Sequence, residues 1–412
     1  MQFKRIVFVT SAQPSANPRM IKEAILFSRL GFEVTVIWCP ISPWADDFDK
    51  EIYNEYSSIN WVQAGCHLKS HKFNYLLSRI RKKTWYFIYN IIGNRFDASI
   101  KSMVLFSQEL SKMALKHNAD LYIGHNLGSI ASIVKAAHKF KAETIFDFED
   151  FYSGEFHENS KDAQIIRDVE SKYICKVKHF TAASPDIANA YKRLFPEINI
   201  QTILNVFPIA YTPSTLVVSH PKPLKLFWFS QFIGKNRGLE TVIKAIGNLK
   251  NYDITLTLLG NITIELKDYF IKILNECNLD QNNLLFLNPV RESQLVQVAS
   301  EHHIGIASEV GHNLNRQYCL TNKIFIYMLA GNALVCSDTY AQKNFIDENN
   351  EIGFVYEQDN YCELSEIFKN YINNNDLLNK HQHNSISASY TKYNWDMEKK
   401  KYLSLLENIK QF

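Results

Sequence analysis

The chain of 412 residues is long enough for two or three domains, and its composition, 46% hydrophobic and 21% charged, excludes a disordered, collagen-like or low-complexity protein. The 45 Lys+Arg and 42 Asp+Glu residues give a net charge of +3, too balanced for a protein whose whole surface binds nucleic acid. Seven scattered cysteines without a Cys-x-x-Cys pair indicate a reducing, cytoplasmic setting rather than a disulfide framework or a zinc ribbon. The sequence contains no run of about 18 apolar residues that would span a membrane.

Short apolar runs alternate with amphipathic stretches along the chain, which is typical of parallel α/β sheets covered by helices. The pattern predicts strands over residues 5–9, 33–38, 121–124, 144–148 and 179–183, and then over 224–230, 254–259, 284–287, 304–307 and 333–336. We therefore predict an α/β fold with two Rossmann-like domains in tandem. The predicted N-terminal domain covers residues 1–206 and the C-terminal domain 207–388, with a proline-containing linker over 205–220 and a terminal helix within 389–412.

The most informative segment, residues 304–337, contains a strand, a polar loop, a helix that begins near Thr321 and a second strand. Thr321 can cap this helix, and the free amides of its first turn together with Lys323 suit a phosphate group. Glu309 follows the strand at its carboxyl end, where open α/β sheets bind ligands. These features favour a phosphate or nucleotide site, although an ordinary capped helix would produce the same pattern.

Residues 322–335, NKIFIYMLAGNALV, resemble the donor-binding helix of the large retaining family of GT-B glycosyltransferases typified by glycogen synthase and sucrose synthase, the group 1 glycosyltransferases. The resemblance implies two Rossmann-like domains that face each other across a cleft, with the C-terminal helix crossing back to the first domain. It also implies that the second domain binds the nucleotide sugar and the first the acceptor. The family's ribose-binding Glu aligns with Ile326, whose side chain cannot make that hydrogen bond.

The resemblance extends to the strand and loop over residues 227–240, where Arg237 would clasp the donor diphosphate, and to the strand ends at 258–261 and 287–290. A planar guanidinium can bind phosphate oxygens through two hydrogen bonds. The alternative for Arg237 is a solvated side chain in a loop that starts a helix. The residues predicted to bind the donor are Arg237, Gly260, Asn261, Pro289, Val290, Asn313, Asn315, Thr321, Asn322 and Lys323.

In the first half, residues 119–126 and 144–150 resemble two strands of the family's acceptor domain. The resemblance implies that His125 and Glu149, the latter at the position of a family His, line the reacting centre, and that Glu309 holds sugar hydroxyls. These three residues are the predicted catalytic residues, with a solvated acidic strand end as the alternative for Glu149. In the loop over residues 11–19, Asn17 can cap the following helix, and Arg19 either contacts an anion of the acceptor or donor or serves the cap alone.

A basic region runs from Lys69 to Lys101, where eight basic residues and one acidic residue give a charge of +7. Aromatic and aliphatic side chains alternate with these charges, a pattern that suits an anionic membrane surface. We therefore predict peripheral docking on the inner face of the plasma membrane. The alternative is a pair of helices that covers the acceptor domain and turns its basic face to solvent. No metal site is predicted, because the tandem Rossmann pattern argues against the Asp-x-Asp clamp that 47–49 or 147–149 would otherwise suggest.

The function implied by the resemblance is transfer of a sugar from a nucleotide diphosphate sugar to a glycan or lipid-linked acceptor. It would need neither metal nor other cofactor and would retain the anomeric configuration, and no nucleic-acid partner is expected. The replacements at Ile326 and Glu149 leave a second interpretation open, a catalytically weak or inactive relative that binds a glycan or a partner protein. A third is a GT-B sugar-nucleotide epimerase, which would have the same fold.

Overall fold

The structure is a computed structural model that describes residues 4–213 and 222–410. The chain groups into two compact units, the first comprising residues 1–203, 313–315 and 399–412, and the second 204–312 and 316–398. The domain boundaries expected from the sequence stay predictions, and residues 214–220 of the predicted linker lie outside the described residues.

The first unit contains a parallel sheet with the strand order β3-β2-β1-β4-β5-β6-β7 within the described residues. Its strands are β1 (Arg5–Thr10), β2 (Glu33–Trp38), β3 (Asn60–Gln63), β4 (Leu121–His125), β5 (Glu143–Phe148), β6 (His179–Ala182) and β7 (Ile200–Thr202). Its helices are α1 (Pro18–Arg29), α2 (Asp46–Glu55), α3 (Lys72–Ile92), α4 (Ala98–Met103), α5 (Ser107–Ala114), α6 (Ile130–Phe140), α7 (Lys161–Tyr173) and α8 (Pro185–Leu194). The order reverses direction beside β1, the position where open α/β sheets bind ligands.

The second unit contains a parallel sheet in the order β10-β9-β8-β11-β12-β13, again within the described residues. Its strands are β8 (Leu224–Phe232), β9 (Ile254–Asn261), β10 (Leu284–Leu287), β11 (Ile304–Ala307), β12 (Ala333–Ser337) and β13 (Gly353–Tyr356). The helices of the second half are α9 (Leu239–Gly247), α10 (Ile264–Glu276), α11 (Glu292–Ser300), α12 (Leu314–Tyr318), α13 (Asn322–Ala330), α14 (Tyr340–Glu348), α15 (Tyr361–Asn373), α16 (Asn375–Thr391) and α17 (Trp395–Lys410). The predicted α/β class with two Rossmann-like units is confirmed.

Local sequence explains how the first βαβ unit forms. Four apolar residues of β1, Ile6 to Val9, are buried between neighbouring strands on both sides. Asn17 then caps α1, because its side chain accepts a hydrogen bond from the Met20 amide at 3.0 Å and Pro18 occupies the first helical position. The cap fixes where α1 starts, and this start determines which polar residues of α1 face the end of the sheet.

Each face of the second unit's sheet is covered by its own apolar cluster, because alternate residues of β8, β11 and β12 belong to different clusters. The side chain of Trp228 on β8 is fully buried in one cluster, while Ile326 and Tyr327 on α13 are fully buried in the other. In the part of the chain that is described, no helix is both long enough and apolar enough to cross a membrane.

Candidate functional site

A buried carboxylate with three cationic neighbours lies at the carboxyl end of β11. Glu309 accepts a hydrogen bond from the Lys323 ammonium at 2.5 Å, and its other oxygen lies 3.6 Å from a guanidinium nitrogen of Arg237 and 3.6 Å from one of Arg316. The side chains of Glu309 and Lys323 are 8% and 7% exposed, whereas Arg237 and Arg316 are 29% and 40% exposed. Three positive charges around one negative charge make this position suitable for an anion.

Two serines position the side chains of this cluster. The Ser308 hydroxyl donates to the carbonyl of Arg237 at 2.8 Å, which ties the loop after β8 to the end of β11. The Ser337 hydroxyl accepts from the Glu309 amide at 2.9 Å and donates to the Glu309 carbonyl at 2.6 Å, which ties β11 to β12. The carboxylate therefore stands on a backbone that is held from both sides.

Gly238 allows the loop after β8 to approach β11 closely. Its φ of +72° lies in the left-handed region, and a Cβ there would stand 2.9 Å from the Ser308 Cβ and 3.0 Å from the Ser308 carbonyl oxygen. A side chain at this position would push the loop, and Arg237 with it, away from Glu309.

The electrostatics keep Glu309 ionised. Burial alone would raise the pKa of its carboxyl group, but the charge and hydrogen bond of Lys323, followed by the charges of Arg237 and Arg316, lower this pKa below its ordinary value. The cluster thus keeps a net charge of +2 at neutral pH.

Helix α13 begins beside this cluster, at Asn322. The Thr321 side chain accepts from the Lys323 amide at 3.5 Å, which is a long N-cap contact. The predicted residues Thr321, Asn322 and Lys323 therefore lie on one helix start, with the Lys323 side chain turned to Glu309. Ile326, by contrast, has no exposed surface and belongs to the apolar cluster under α13.

The other donor-binding residues predicted in the second unit lie at the ends of β9 and β10. Gly260 passes close to β8, since a Cβ there would lie 2.4 Å from the Ser230 carbonyl oxygen. Asn261 is exposed and donates to the Gln231 carbonyl at 3.0 Å. Pro289 and Val290 are half-buried after β10. Their predicted contact with a nucleotide base stays a prediction.

Asn313 and Asn315 group with the first unit. Asn315 accepts from the Phe151 amide at 2.8 Å and donates to the Asp150 carboxylate at 3.0 Å, while Asn313 donates to the Glu155 carbonyl at 2.8 Å. The described contacts of both side chains are thus to the segment that follows β5, and their predicted role in donor binding stays a prediction.

A second polar cluster lies at the carboxyl ends of β4 and β5 in the first unit. The two ring nitrogens of His125 lie 2.9 Å from a Glu149 oxygen and 3.0 Å from a Glu23 oxygen. A carboxylate only accepts hydrogen bonds, so both nitrogens carry protons and the ring is an imidazolium. Burial alone would lower the pKa of His125, but the charges and hydrogen bonds of Glu23 and Glu149 raise it to about 10.

Glu149 is the member of this cluster that reaches the surface, with 14% of its side chain exposed. Its oxygens accept from the Asn17 and Asn126 amides at 2.5 Å each as well as from His125. A carboxylate has about four acceptor positions, so roughly one remains for a ligand. The structure thus brings three residues that the sequence predicted separately, Asn17, His125 and Glu149, into contact.

Arg19 is buried beneath this cluster. Its guanidinium forms a two-point ion pair with Asp147, at 2.6 and 2.8 Å, and donates a third hydrogen bond to the Ile203 carbonyl at 2.5 Å. Asp147 also accepts a short hydrogen bond from the Thr181 hydroxyl. The anion that Arg19 contacts in the described residues is therefore an internal carboxylate, and its predicted contact with a substrate stays a prediction.

Sequence reasoning missed four residues that complete the two clusters: Glu23, Asn126, Asp147 and Arg316. Arg19 and Glu23 are four residues apart on α1, so they lie on one face of the helix. This spacing is the sequence signal that could have placed Glu23 beside Arg19. Asn126 has a φ of +60° immediately after β4, a backbone conformation that often marks functional sites. No pattern in the sequence links Arg316 to Glu309.

Glu23, His125 and Asp147 are close enough together to be considered as ligands for a metal ion. The cationic group of Arg19, however, lies 2.6 Å from Asp147 and 3.7 Å from Glu23, and the ring of His125 is itself protonated. A metal ion would have to displace these internal cations, so the residues fit a network of ion pairs better than a metal centre.

Several solved structures superimpose on nearly the whole chain. HepE from Anabaena, solved with UDP, superimposes with a TM-score of 0.71 at 13% identity, covering 98% of this chain and 100% of that one. A glycosyltransferase from Rickettsia africae superimposes with a TM-score of 0.71 at 14% identity, and the match covers 99% of this chain and 98% of that one. Sucrose-phosphate synthase from Thermosynechococcus elongatus superimposes with a TM-score of 0.70 at 12% identity, and the match covers 98% of this chain and 99% of that one.

No family model matches the sequence, and no curated protein does. At identities of 12–14% the similarity to solved structures shows the fold, and the fold of this chain is GT-B, as predicted from residues 322–335.

Proposed function

We propose that this protein is a glycosyltransferase that takes a sugar from a nucleotide diphosphate sugar. The observation that carries the proposal is the cationic cluster around Glu309 at the carboxyl end of β11 in a GT-B fold. The structural neighbour HepE binds UDP, and another of its structures holds UDP-glucose. A nucleoside diphosphate is therefore the class of ligand that we assign to this cluster.

In this proposal, the half-exposed guanidinium groups of Arg237 and Arg316 bind the diphosphate and stabilise the charge that develops as it leaves. The buried Lys323 and the first-turn amides of α13 add positive potential at the same end of the sheet. Glu309 orients the three cations and offers an acceptor for sugar hydroxyls. Because Ile326 has no polar group, the ribose must be held by other groups than the α13 side chain at that position.

In the first unit, we propose that Glu149 accepts a hydrogen bond from a sugar hydroxyl through its remaining acceptor position. His125 is an imidazolium in the described structure, so it does not act as a general base in this state. Its charge would instead hold Glu149 ionised and in place. The leaving diphosphate would take the acceptor proton, which is consistent with retention of the anomeric configuration.

The proposal includes no metal or other cofactor. The ion pair of Arg19 with Asp147 supports this choice for the first unit, since it supplies the positive charge that the buried carboxylates require. The acceptor would be a glycan or a lipid-linked acceptor. All seven cysteines are free, which supports a location in the cytoplasm.

The experiment is a thermal-shift and calorimetric titration of the protein with UDP, GDP, ADP and CMP, with and without EDTA. We expect one nucleoside diphosphate to bind, with an affinity that EDTA does not change. Arg237→Ala should weaken this binding by about tenfold, because a two-point guanidinium contact to phosphate is lost. The matched control is Lys235→Ala in the same loop, whose ammonium lies 4.0 Å over the Tyr269 ring rather than beside Glu309.

A binding module without catalysis is the second candidate, and the full burial of Ile326 in apolar surroundings favours it. A GT-B epimerase is the third. Sugar release from the bound nucleotide sugar, followed over time with and without a glycan acceptor, separates the three. A transferase releases nucleoside diphosphate faster with acceptor, an epimerase converts the sugar nucleotide without any, and a binding module does neither.

We also propose that α3 docks on an anionic membrane surface. Along one stripe of this helix, Phe73, Leu77, Ile80, Phe87 and Ile91 are between 47% and 72% exposed. The exposed basic residues Lys69, Lys72, Arg79 and Lys83 flank the stripe. Such a helix suits the interface of a bilayer that contains anionic lipids.

Sedimentation with vesicles of phosphatidylglycerol and phosphatidylcholine tests the docking. Phe87→Asp should abolish sedimentation at low salt, whereas Ile264→Asp, at a position 78% exposed on α10, should leave it unchanged. Equal behaviour of the two variants would contradict docking through α3.

A further inference from the structure

The first unit contains a cavity that the proposed function does not use. It has a volume of about 540 Å³ and lies against α4, α5 and α6. Five lysines line it, namely Lys101, Lys112, Lys116, Lys135 and Lys139. The volume lies within the range of small-molecule sites, roughly 300–1,000 Å³, and exceeds what a single phosphate ion needs.

Within the described residues, the protein neutralises the positive charge of this cavity only in part. Among the described residues, no Asp or Glu lines the cavity. Asp97 accepts from the lining residue Lys135 at 2.7 Å but is shared with Lys172 at 2.6 Å. The described part of the chain offers Lys112 and Lys116 no ion-pair partner, so most of the charge remains available to a ligand.

Two of the lysines are held in place by neutral backbone carbonyls rather than by acidic partners. Lys101 donates to the Phe96 carbonyl at 2.7 Å, and Lys139 donates to the Leu115 carbonyl at 2.9 Å. Burial lowers the pKa of Lys101, and the positive charges of Lys135 and Lys172 lower it further while Asp97 opposes them. Holding like charges together in this way costs free energy, which a bound anion would recover.

Polar groups that could hydrogen-bond to such an anion lie in the same wall. The hydroxyls of Ser111 and Ser132 are 2.9 Å apart and join α5 to α6, and Ser107 also lines the cavity. Serine hydroxyls and ammonium groups together match the oxygen-rich, multiply charged surface of a phosphate ester.

We propose that this five-lysine cavity binds a phosphate-bearing ligand, a phosphomonoester or a diphosphate attached to a larger group. The proposal rests on the cavity alone and does not depend on the function assigned to the Glu309 cluster. The phosphate could belong to a soluble molecule or to the head group of a lipid, and both present the same chemistry to the lysines.

Two assays on the full chain test the proposal. In the first, inorganic pyrophosphate is titrated calorimetrically in the presence of saturating UDP. In the second, the protein is sedimented with phosphatidylcholine vesicles that contain either phosphatidic acid, a phosphomonoester, or phosphatidylglycerol, a phosphodiester. The variant is Lys112→Glu with Lys116→Glu, both at exposed positions where the change should not disturb folding.

We expect the double variant to weaken pyrophosphate binding, or the preference for phosphatidic acid, by about tenfold or more, because two attractive charges become repulsive. A loss in the first assay identifies a soluble phosphate ester, and a loss in the second alone identifies a lipid head group. The matched control is Lys192→Glu, which also changes an exposed lysine in the last turn of a helix. If the double variant and the control behave alike in both assays, the proposal is wrong.

Discussion

Glu309 compensates the buried charge of Lys323. The two side chains are less than a tenth exposed and lie 2.5 Å apart, so removal of the carboxylate charge leaves an ammonium group buried without its partner. We predict that Glu309→Gln lowers the free energy of unfolding by about 3 kcal/mol, measured by urea denaturation. Asp347→Asn, which breaks an exposed pair with Lys343 on α14, should hardly change it.

The pH dependence of Glu309 has a definite sign. Its pKa is lower in the folded protein, so the stability that it contributes is present above its ordinary pKa and is lost as the pH falls through the folded value. Wild type should therefore lose stability in acid more steeply than Glu309→Gln. Identical acid profiles would show that the pair does not exist in solution.

His125 provides a test of the first unit's cluster. We predict that its imidazole ring stays protonated at pH 8, with an NMR titration midpoint near 10, because Glu23 and Glu149 both accept from it. Burial lowers the pKa of His302 to about 4, so that ring should be neutral at pH 8 in the same spectra and serves as the internal control.

The raised pKa of His125 also affects stability. The stabilisation from its protonation is fully present below its ordinary pKa of about 6.5 and is lost as the pH rises through about 10. A His125 signal that titrates near 6.5 would contradict the ion-paired cluster.

At the scale of elements, the loop between β8 and α9 controls where Arg237 lies. We predict that Gly238→Ala weakens nucleotide binding and lowers stability by about 1–2 kcal/mol, since the left-handed φ is unfavourable for alanine and the new methyl group would contact Ser308. Titration calorimetry and urea denaturation measure the two effects.

Gly234 in the same loop is the matched control. A Cβ there would meet no atom within 4 Å, so Gly234→Ala should leave both quantities near the wild-type values. If both variants lost nucleotide binding and stability equally, the loop would be sensitive to any substitution. The close approach of Gly238 to Ser308 would then not explain the effect.

At the scale of the whole molecule, the two clusters belong to different units, with Glu309 in the second and Glu149 in the first. We predict that a bound nucleoside diphosphate slows amide hydrogen exchange in residues 235–239 and 321–325 of the second unit. When nucleotide is added without acceptor, amide exchange should slow more in these two segments than in residues 121–125 of β4. Protection confined to the first unit would contradict the assignment of donor binding to the second.

The interior strands could be predicted from the sequence, whereas β3, β7 and β13 could not. Interior parallel strands are buried on both faces and read as continuous apolar runs, such as Ile6 to Val9. The three missed strands lie at sheet edges and are mostly half-exposed, with short mixed sequences such as Asn60–Gln63. The edge strand β10 could be predicted because all four of its residues are apolar. Without such a run, an edge strand is defined by the neighbour with which it pairs, and a single sequence does not contain that information.

The sequence by itself determined the fold class, the GT-B resemblance of residues 322–335 and the positions of His125, Glu149, Glu309 and Lys323. The fold class follows from local periodicity, whereas the GT-B assignment and the roles expected of these residues follow from the resemblance of short motifs to the family. Both depend on neighbours a few residues away in the chain. Only the tertiary structure decided that Arg316 joins Glu309, that Arg19 pairs with Asp147 and that five lysines meet at one cavity. Side chains on separate elements meet only when packing brings those elements together, so charge balance at a site is a property of the folded chain.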